Sequence, residues 1–203
     1  MHASRSHPFV LIISGPSGVG KTVVCHRLLQ LVPRLARVVT TTTRPPRGRE
    51  RQDEAYHFLT ASEFEQLKAE DGLLEWAEVH GARYGTPRRD VEVLLAQDRV
   101  PLLNIDVQGA LQIQRRLPGD AVLVFLLPPD EETLRARLLG RKTDDPETVE
   151  RRLQRAREEI AVAPRYDYAV VNADLDACVE DVRAIYRAET CRAGRVAGGD
   201  TAS

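Results

Sequence analysis

No apolar run in the 203-residue sequence approaches the ~18 residues that a membrane-spanning helix needs. A secretory leader is lacking as well: Met1–Pro8 is short and polar, and the apolar stretch behind it is only a strand in length. Together these absences lead us to expect a cytoplasmic protein. Cysteine is scarce. Cys25, Cys178 and Cys191 are an odd, scattered set, which excludes a disulfide framework and a zinc cluster. Cys25 and Cys178 fall in helical patterns and read as small core residues. No excess of either charge exists: 29 basic side chains face 30 acidic ones, for a net charge of −1. That balance removes the electrostatic reason to expect a nucleic-acid or anionic-membrane partner. Internal repeats are also missing. What remains is an ordinary apolar content of 42%, enough for one large domain with a substantial core. The bases are mostly arginine, which suits bidentate phosphate recognition, although high-GC coding produces the same bias.

Against this background Gly15-Pro16-Ser17-Gly18-Val19-Gly20-Lys21-Thr22 stands out, because it fits G-x-x-x-x-G-K-[ST] at every fixed position. Glycines there let backbone N–H groups turn inward around a di- or triphosphate. Lys21 supplies a positive charge near the β- and γ-phosphates, and Thr22 offers a hydroxyl to Mg²⁺. Phe9–Ser14 reads as a buried strand and Val23–Val32 as a helix. The loop then lies at a helix N-terminus, where the dipole favours phosphate. A glycine-rich turn that binds nothing would not need this context. The motif specifies nucleotide phosphates and leaves the reaction open.

Beyond the loop, apolar runs alternate with helical patterns, the sign of an α/β fold with a parallel sheet flanked by helices. Strands are expected at 37–42, 56–59, 73–80, 100–105, 121–127 and 169–171. Helices are expected from Ser62, with Glu65 completing a capping box, from Pro87 to about Gln97, and at 108–116, 131–139, 147–162 and 175–189. Residues 38–89 interrupt the βα rhythm with short strands and a polar, proline-containing loop, and read as an inserted subdomain. The surrounding core is 8–37 and 90–190. Arg137, Arg141 and Arg152 surround a polar break near 137–152, which fits a closing helical lid or simply two solvated helix ends. Residues 191–203 are small and polar and read as a flexible tail.

Taken in order, the motifs resemble guanylate kinase from about Phe9 to Glu189. The landmarks are Gly15–Thr22, Thr42-Thr43-Arg44-Pro45-Pro46-Arg47 with Glu50, Tyr56-His57-Phe58, and Leu74-Glu75-Trp76-Ala77-Glu78. They continue with Arg83-Tyr84-Gly85-Thr86, Asn104-Ile105-Asp106-Val107-Gln108-Gly109-Ala110, Leu127-Pro128-Pro129, Leu139-Gly140-Arg141 and Val170-Val171-Asn172. The resemblance implies an ATP:GMP phosphotransferase of nucleotide recycling that uses Mg²⁺-ATP and accepts GMP, with dGMP expected as well. It implies a phosphate site of Arg44, Arg47, Tyr56 and Tyr84, with Glu50 beside it. Two arginines in a proline-stiffened loop form a two-pronged clamp, and tyrosine hydroxyls add hydrogen bonds. Glu75 matches the position that accepts guanine N1–H and its exocyclic amino group, with Asp106 as a second acceptor. Thr40 and Thr86 match positions that offer hydroxyls toward O6. Adenine has no N1–H, so such a site discriminates by ~10⁴-fold or more. Asn172 falls where the family meets the adenine of ATP. Lys21 with Arg137, Arg141 and Arg152 would neutralise charge during transfer.

Four positions depart from the family pattern. The glycine after the first clamp arginines is shifted, giving Arg47-Gly48-Arg49-Glu50. Asn104 replaces the first aspartate of Asp-Ile-Asp, Lys142 follows Arg141 where glycine is common, and Ala173 interrupts Asn-Asp-Asp. Two other readings stay open at this point. One is a guanylate-kinase-like scaffold that binds proteins without catalysis; the other is a kinase for a phosphorylated ribose. Intact phosphate-loop residues weigh against the first, and Glu75 with Asp106 against the second.

Overall fold

The computed structural model describes residues 7–48, 50–79, 81–139 and 146–196. Five apolar or mixed segments build a parallel sheet in the order β2-β7-β1-β8-β9: β1 Val10–Ser14, β2 Leu35–Arg37, β7 Val100–Asn104, β8 Ala121–Leu127 and β9 Tyr168–Val171. β1 is buried at every position because helices cover both faces, which is why its sequence is a continuous apolar run. On one face Leu11, Ile13, Val24, Leu28, Val179 and Val182 join the sheet to α1 (Lys21–Leu31) and α7 (Leu175–Thr190). On the other, Val10, Ile12, Leu103 and Phe125 meet Val91 of α3 (Arg88–Ala96) and Ala110 and Ile113 of α4 (Val107–Arg116).

A second, four-stranded sheet occupies the region between β2 and α3. Its order is β4-β3-β6-β5, with β3 Thr41–Thr42, β4 His57–Phe58, β5 Leu73–Val79 and β6 Ala82–Pro87. β5 and β6 are an antiparallel pair, and β3 runs parallel to β4. The strand expected at 37–42 is thus divided. Its first part belongs to the core sheet and its second to the smaller one, with Val38–Thr40 passing between them. β6 was not anticipated as a strand, because Arg83, Gly85 and Pro87 are poor strand formers; pairing on both edges enforces it.

Three further expectations are corrected. Helix α2 (Ala61–Ala69) is capped by Thr60 rather than Ser62. Thr60 Oγ1 accepts from Glu63 N at 3.2 Å, while Glu63 Oε2 accepts from Thr60 N at 2.7 Å. Pro87 closes β6 and precedes α3 as its N-cap instead of opening it. The tail expected from residue 191 is, as far as 196, docked on the core: α8 (Ala193–Val196) carries Arg195, which is only 5% exposed. Arg195 donates to Glu189 and to the Gly119 carbonyl and lies 4.5 Å from the centroid of the Phe9 ring.

Helices α5 (Glu131–Leu139) and α6 (Pro146–Ile160) pack through Leu134, Leu138, Val149, Leu153 and Ala156. Arg141 and Lys142 lie outside the described residues, between these two helices. Among the described residues no helix is long and apolar enough to cross a membrane.

Candidate active site

The phosphate-loop motif sits between β1 and α1, at the C-terminal edge of the parallel sheet where α/β folds bind ligands. Two glycines show why the spacing is needed. Gly15 has φ +136°, and a Cβ there would collide with the Leu126 carbonyl oxygen of β8. Gly20, with φ +104°, caps α1, and its Cβ would lie 2.6 Å from Asn172 Nδ2. The first turn of α1 therefore points its free N–H groups into the loop. Lys21 Nζ folds over that loop and donates to the carbonyls of Gly15 at 2.5 Å and Pro16 at 3.0 Å. Ser17 and Val19 complete the turn, and Gly18 lies against Leu138 of α5.

Two neighbouring residues brace this loop. Asn172 is 5% exposed, and its Nδ2 donates to the Val19 carbonyl at 2.7 Å. Arg137 donates to the Val19 carbonyl at 3.4 Å and to the Asn172 carbonyl at 3.1 Å. Asn172, expected at an adenine, is tied to the phosphate loop through Val19. Arg137, expected at the start of a closing lid, meets the same loop. Arg152 lies half-buried on α6.

Five of the expected acceptor-site residues, Thr40, Tyr56, Glu75, Tyr84 and Asp106, line one cavity of about 240 Å³ together with Asn104. Glu75 is 4% exposed, and its Oε1 accepts from Thr86 Oγ1 at 2.7 Å. Burial pushes the Glu75 carboxyl up to about 7; the Thr86 hydrogen bond opposes the rise and the charge of Asp106 adds to it. Thr86 itself is fully buried and does not line the cavity. Its hydroxyl orients the Glu75 carboxylate through that hydrogen bond. Asp106 is the N-cap of α4, accepting from Gly109 N at 2.8 Å.

At the rim Arg44 is 8% exposed. Its guanidinium holds Glu50 with two hydrogen bonds of 2.8 and 3.1 Å and donates from Nε to the Tyr84 hydroxyl at 3.3 Å. Its Cζ lies 5.1 Å from the Tyr56 ring centroid. The Arg44 guanidinium, followed by the Arg47 amide, holds the Glu50 carboxyl below its ordinary range. Glu50 also accepts from Arg47 N at 2.8 Å, while the Arg47 side chain is exposed.

A second cavity, about 220 Å³, shares Thr40, Tyr56 and Asn104 with the first and extends to Thr22. The phosphate loop and the acceptor cavity are therefore contiguous. Asn104 stands at the junction, donating from Nδ2 to Thr22 Oγ1 at 3.2 Å.

Several contributors were not legible in the sequence. Gly109 must be small, because a Cβ would lie 2.5 Å from Glu75 Oε2. Gln112 fastens α4 to β5 by accepting from Trp76 N at 3.3 Å and donating to the Trp76 carbonyl at 2.9 Å. Glu159 on α6 is half-buried, and its carboxyl is raised chiefly by burial, with Lys21 and Arg155 opposing. Of these three, only Gly109 lies within one of the motifs quoted above.

A nucleotide phosphate loop joined to a carboxylate-bearing acceptor cavity defines a P-loop phosphotransferase acting on a small substrate. The family model described as guanylate kinase matches residues 7–189, and the chain belongs to that family. It is 48% identical over 188 residues to the guanylate kinase of Anaeromyxobacter dehalogenans, covering 92% of this chain and 83% of that protein. The guanylate kinase of Gloeobacter violaceus is 50% identical over 178 residues, 87% of this chain and 86% of its own. A crystal structure of guanylate kinase from Anaplasma phagocytophilum superposes with a TM-score of 0.78 at 32% identity, covering 94% of this chain and 90% of that one. Membership makes this protein a nucleoside monophosphate kinase that transfers a phosphoryl group from ATP to GMP.

Proposed function

We propose that the two contiguous cavities hold donor and acceptor phosphates for in-line transfer of the ATP γ-phosphoryl group to GMP, and to dGMP. The carrying observation is that Thr22 of the phosphate loop and Tyr56, just before β4 of the smaller sheet, line the same cavity. In this reading Gly15 to Thr22 cradle the ATP phosphates, and Lys21 leaves the Gly15 and Pro16 carbonyls to meet the β- and γ-phosphates. Arg137 supports the loop and adds positive charge beside it. Arg141 and Arg152 are proposed to complete that charge from the α5–α6 region. Arg44, Arg47, Tyr56 and Tyr84 hold the acceptor phosphate, with Glu50 keeping Arg44 aimed. Glu75 and Asp106 accept the two N–H donors of guanine, and Thr40 offers a hydroxyl from the wall. Asn172 contributes by fixing the loop that faces the nucleotide.

Among the described residues no group of three His, Cys, Asp or Glu is placed to hold a metal ion. The available donor, the Thr22 hydroxyl, fits a hard cation that arrives on nucleotide phosphates and needs one or two protein ligands. Mg²⁺ on ATP would supply charge neutralisation at the transferring phosphate. The acceptor oxygen is already anionic at neutral pH, so no strong general base is required. The protein's work is alignment and the exclusion of water. Support for guanine over other bases lies in the buried Glu75, which would face a lone pair on adenine. We place the reaction in the cytoplasm.

A panel of GMP, dGMP, AMP, CMP and UMP with Mg²⁺-ATP tests the reading. Phosphorylation confined to GMP and dGMP is expected; equal turnover of AMP would refute the role given to Glu75, and nucleotide binding without any turnover would favour a scaffold.

A further inference from the structure

Tyr56 belongs to the segment 51–58, which is held by very little of its own sheet. β4 contributes only His57 and Phe58, and the turn before it is closed by Asp53 N donating to the Tyr56 carbonyl at 2.9 Å. Asp53 adopts φ +63°, a backbone conformation that is unfavourable for a residue other than glycine. The Tyr56 ring meets Phe58 and Tyr84 with centroids 5.9 and 6.0 Å apart and lies under Arg44, but these contacts, like the turn itself, belong to the smaller sheet and its loops and do not tie Tyr56 to the core.

The core supplies that tie. Arg37 ends β2, paired with Leu102 of the buried strand β7. Its guanidinium reaches across to the turn, donating to the Glu54 carbonyl at 3.1 Å and to the Ala55 carbonyl at 2.7 Å. These carbonyls immediately precede Tyr56. A guanidinium presents several N–H groups in one rigid plane and so can set both the distance and the angle of the peptides it holds. A second tether runs from the other side, where His57 places Nδ1 2.6 Å from Asp53 Oδ1 and Nε2 2.9 Å from Asp90 Oδ2 of α3. Arg37 and Tyr56 also line the same cavity.

The geometry points to Arg37 as a positioning residue for the acceptor-phosphate site, acting through the 54–55 peptides on Tyr56. This rests on the function proposed above, in which Tyr56 meets the phosphate of the acceptor nucleotide. Arg37 fastens the phosphate-binding turn to the parallel sheet, so the smaller sheet carries Tyr56 in register with the phosphate loop.

The quantity to measure is the phosphate increment, the ratio of the dissociation constants of guanosine and GMP, by calorimetry without ATP. Arg37→Met keeps chain length and removes the donors. It is expected to lower the increment about tenfold through weaker GMP binding, with guanosine binding unchanged. Arg37→Lys keeps the charge but not the fork and should restore only part of the loss. In a Tyr56→Phe background, Arg37→Met should add less than about a twofold effect, because both changes remove one interaction. An increment unchanged in Arg37→Met overturns the inference alone. So do equal losses for guanosine and GMP, full restoration by lysine, or additive effects with Tyr56→Phe. If the wild type binds GMP no more tightly than guanosine, the phosphate-site reading itself fails and the inference falls with it.

Discussion

Glu75 is the residue at which folding and recognition make opposite demands. It is 4% exposed, and burial, with help from Asp106, pushes its carboxyl up from an ordinary 4.5 to about 7. Guanine needs the ionised form, because both of its edge donors require acceptors. In the empty site at pH 6 only about a tenth of the molecules carry a Glu75 carboxylate, so guanine affinity there should be about tenfold below its plateau above pH 8. Guanosine is the ligand to use, since a nucleotide phosphate titrates in the same range. Stability supplies an independent check. The folded carboxyl binds its proton more tightly than the unfolded one. Its destabilising effect is therefore absent below about pH 4.5, grows through the interval to about pH 7, and is complete above it. The rise corresponds to ~3 kcal/mol at pH 8. Glu75→Gln keeps an oxygen for Thr86 and cannot ionise. Its thermal unfolding should lie above wild type at pH 8 and close to it near pH 4.5, while guanosine binding collapses and loses its pH dependence. Wild-type guanosine affinity that is flat from pH 6 to 8, or a variant less stable than wild type at pH 8, would refute the reasoning.

Other substitutions probe neighbouring parts of the site. Lys21→Ala should lower kcat by ~10² or more while leaving thermal unfolding nearly unchanged, since Nζ folds over the phosphate loop and donates to the Gly15 and Pro16 carbonyls instead of packing in the core; steady-state kinetics beside calorimetry checks both halves. Gly109→Ala places a Cβ 2.5 Å from Glu75 Oε2, so it should displace the carboxylate and raise the KM for GMP by about tenfold or more, with the KM for ATP unaffected. Asn104→Asp should lower the free Mg²⁺ needed for half-maximal rate, because a carboxylate beside Thr22 adds negative charge near the cation; superimposable Mg²⁺ titrations of variant and wild type would exclude that role.

The legible parts of the fold were those in which the cause is local in the chain. Val10–Ser14 is buried on both faces, and a continuous apolar run says so. The phosphate loop is an eight-residue object whose ligand contacts come from its own backbone, so spacing alone reveals it. The boundaries that moved were decided by pairing. Thr41 and Thr42 left the core strand because they face Gly85 and Tyr84 in the second sheet. Thr60 took the cap of α2 from Ser62 because its partner Glu63 lies one turn inside the helix that formed.

Site residues divide along the same line. Glu75 and Asp106 were recognisable as acids in the expected motifs, but the interactions that set their chemistry are separated widely in sequence. Thr86 comes from the next strand, Gly109 from a helix beyond the core sheet, and Asn172 reaches the phosphate loop from across 153 positions. A string of residue types identifies the acceptor but not its proton affinity, which depends on what surrounds it. Thr86 and Asn172 each hold a neighbouring group of the site in place. A hydroxyl on a buried carboxylate fixes the direction of that acceptor, and an amide on the Val19 carbonyl fixes the loop before any nucleotide enters. Removing either would alter ligand affinity through the group it holds. Affinity alone therefore cannot distinguish contact residues from their supports, whereas the pH profile of guanosine binding can: losing Thr86 should move the Glu75 midpoint upward, and losing Thr40 should leave it in place.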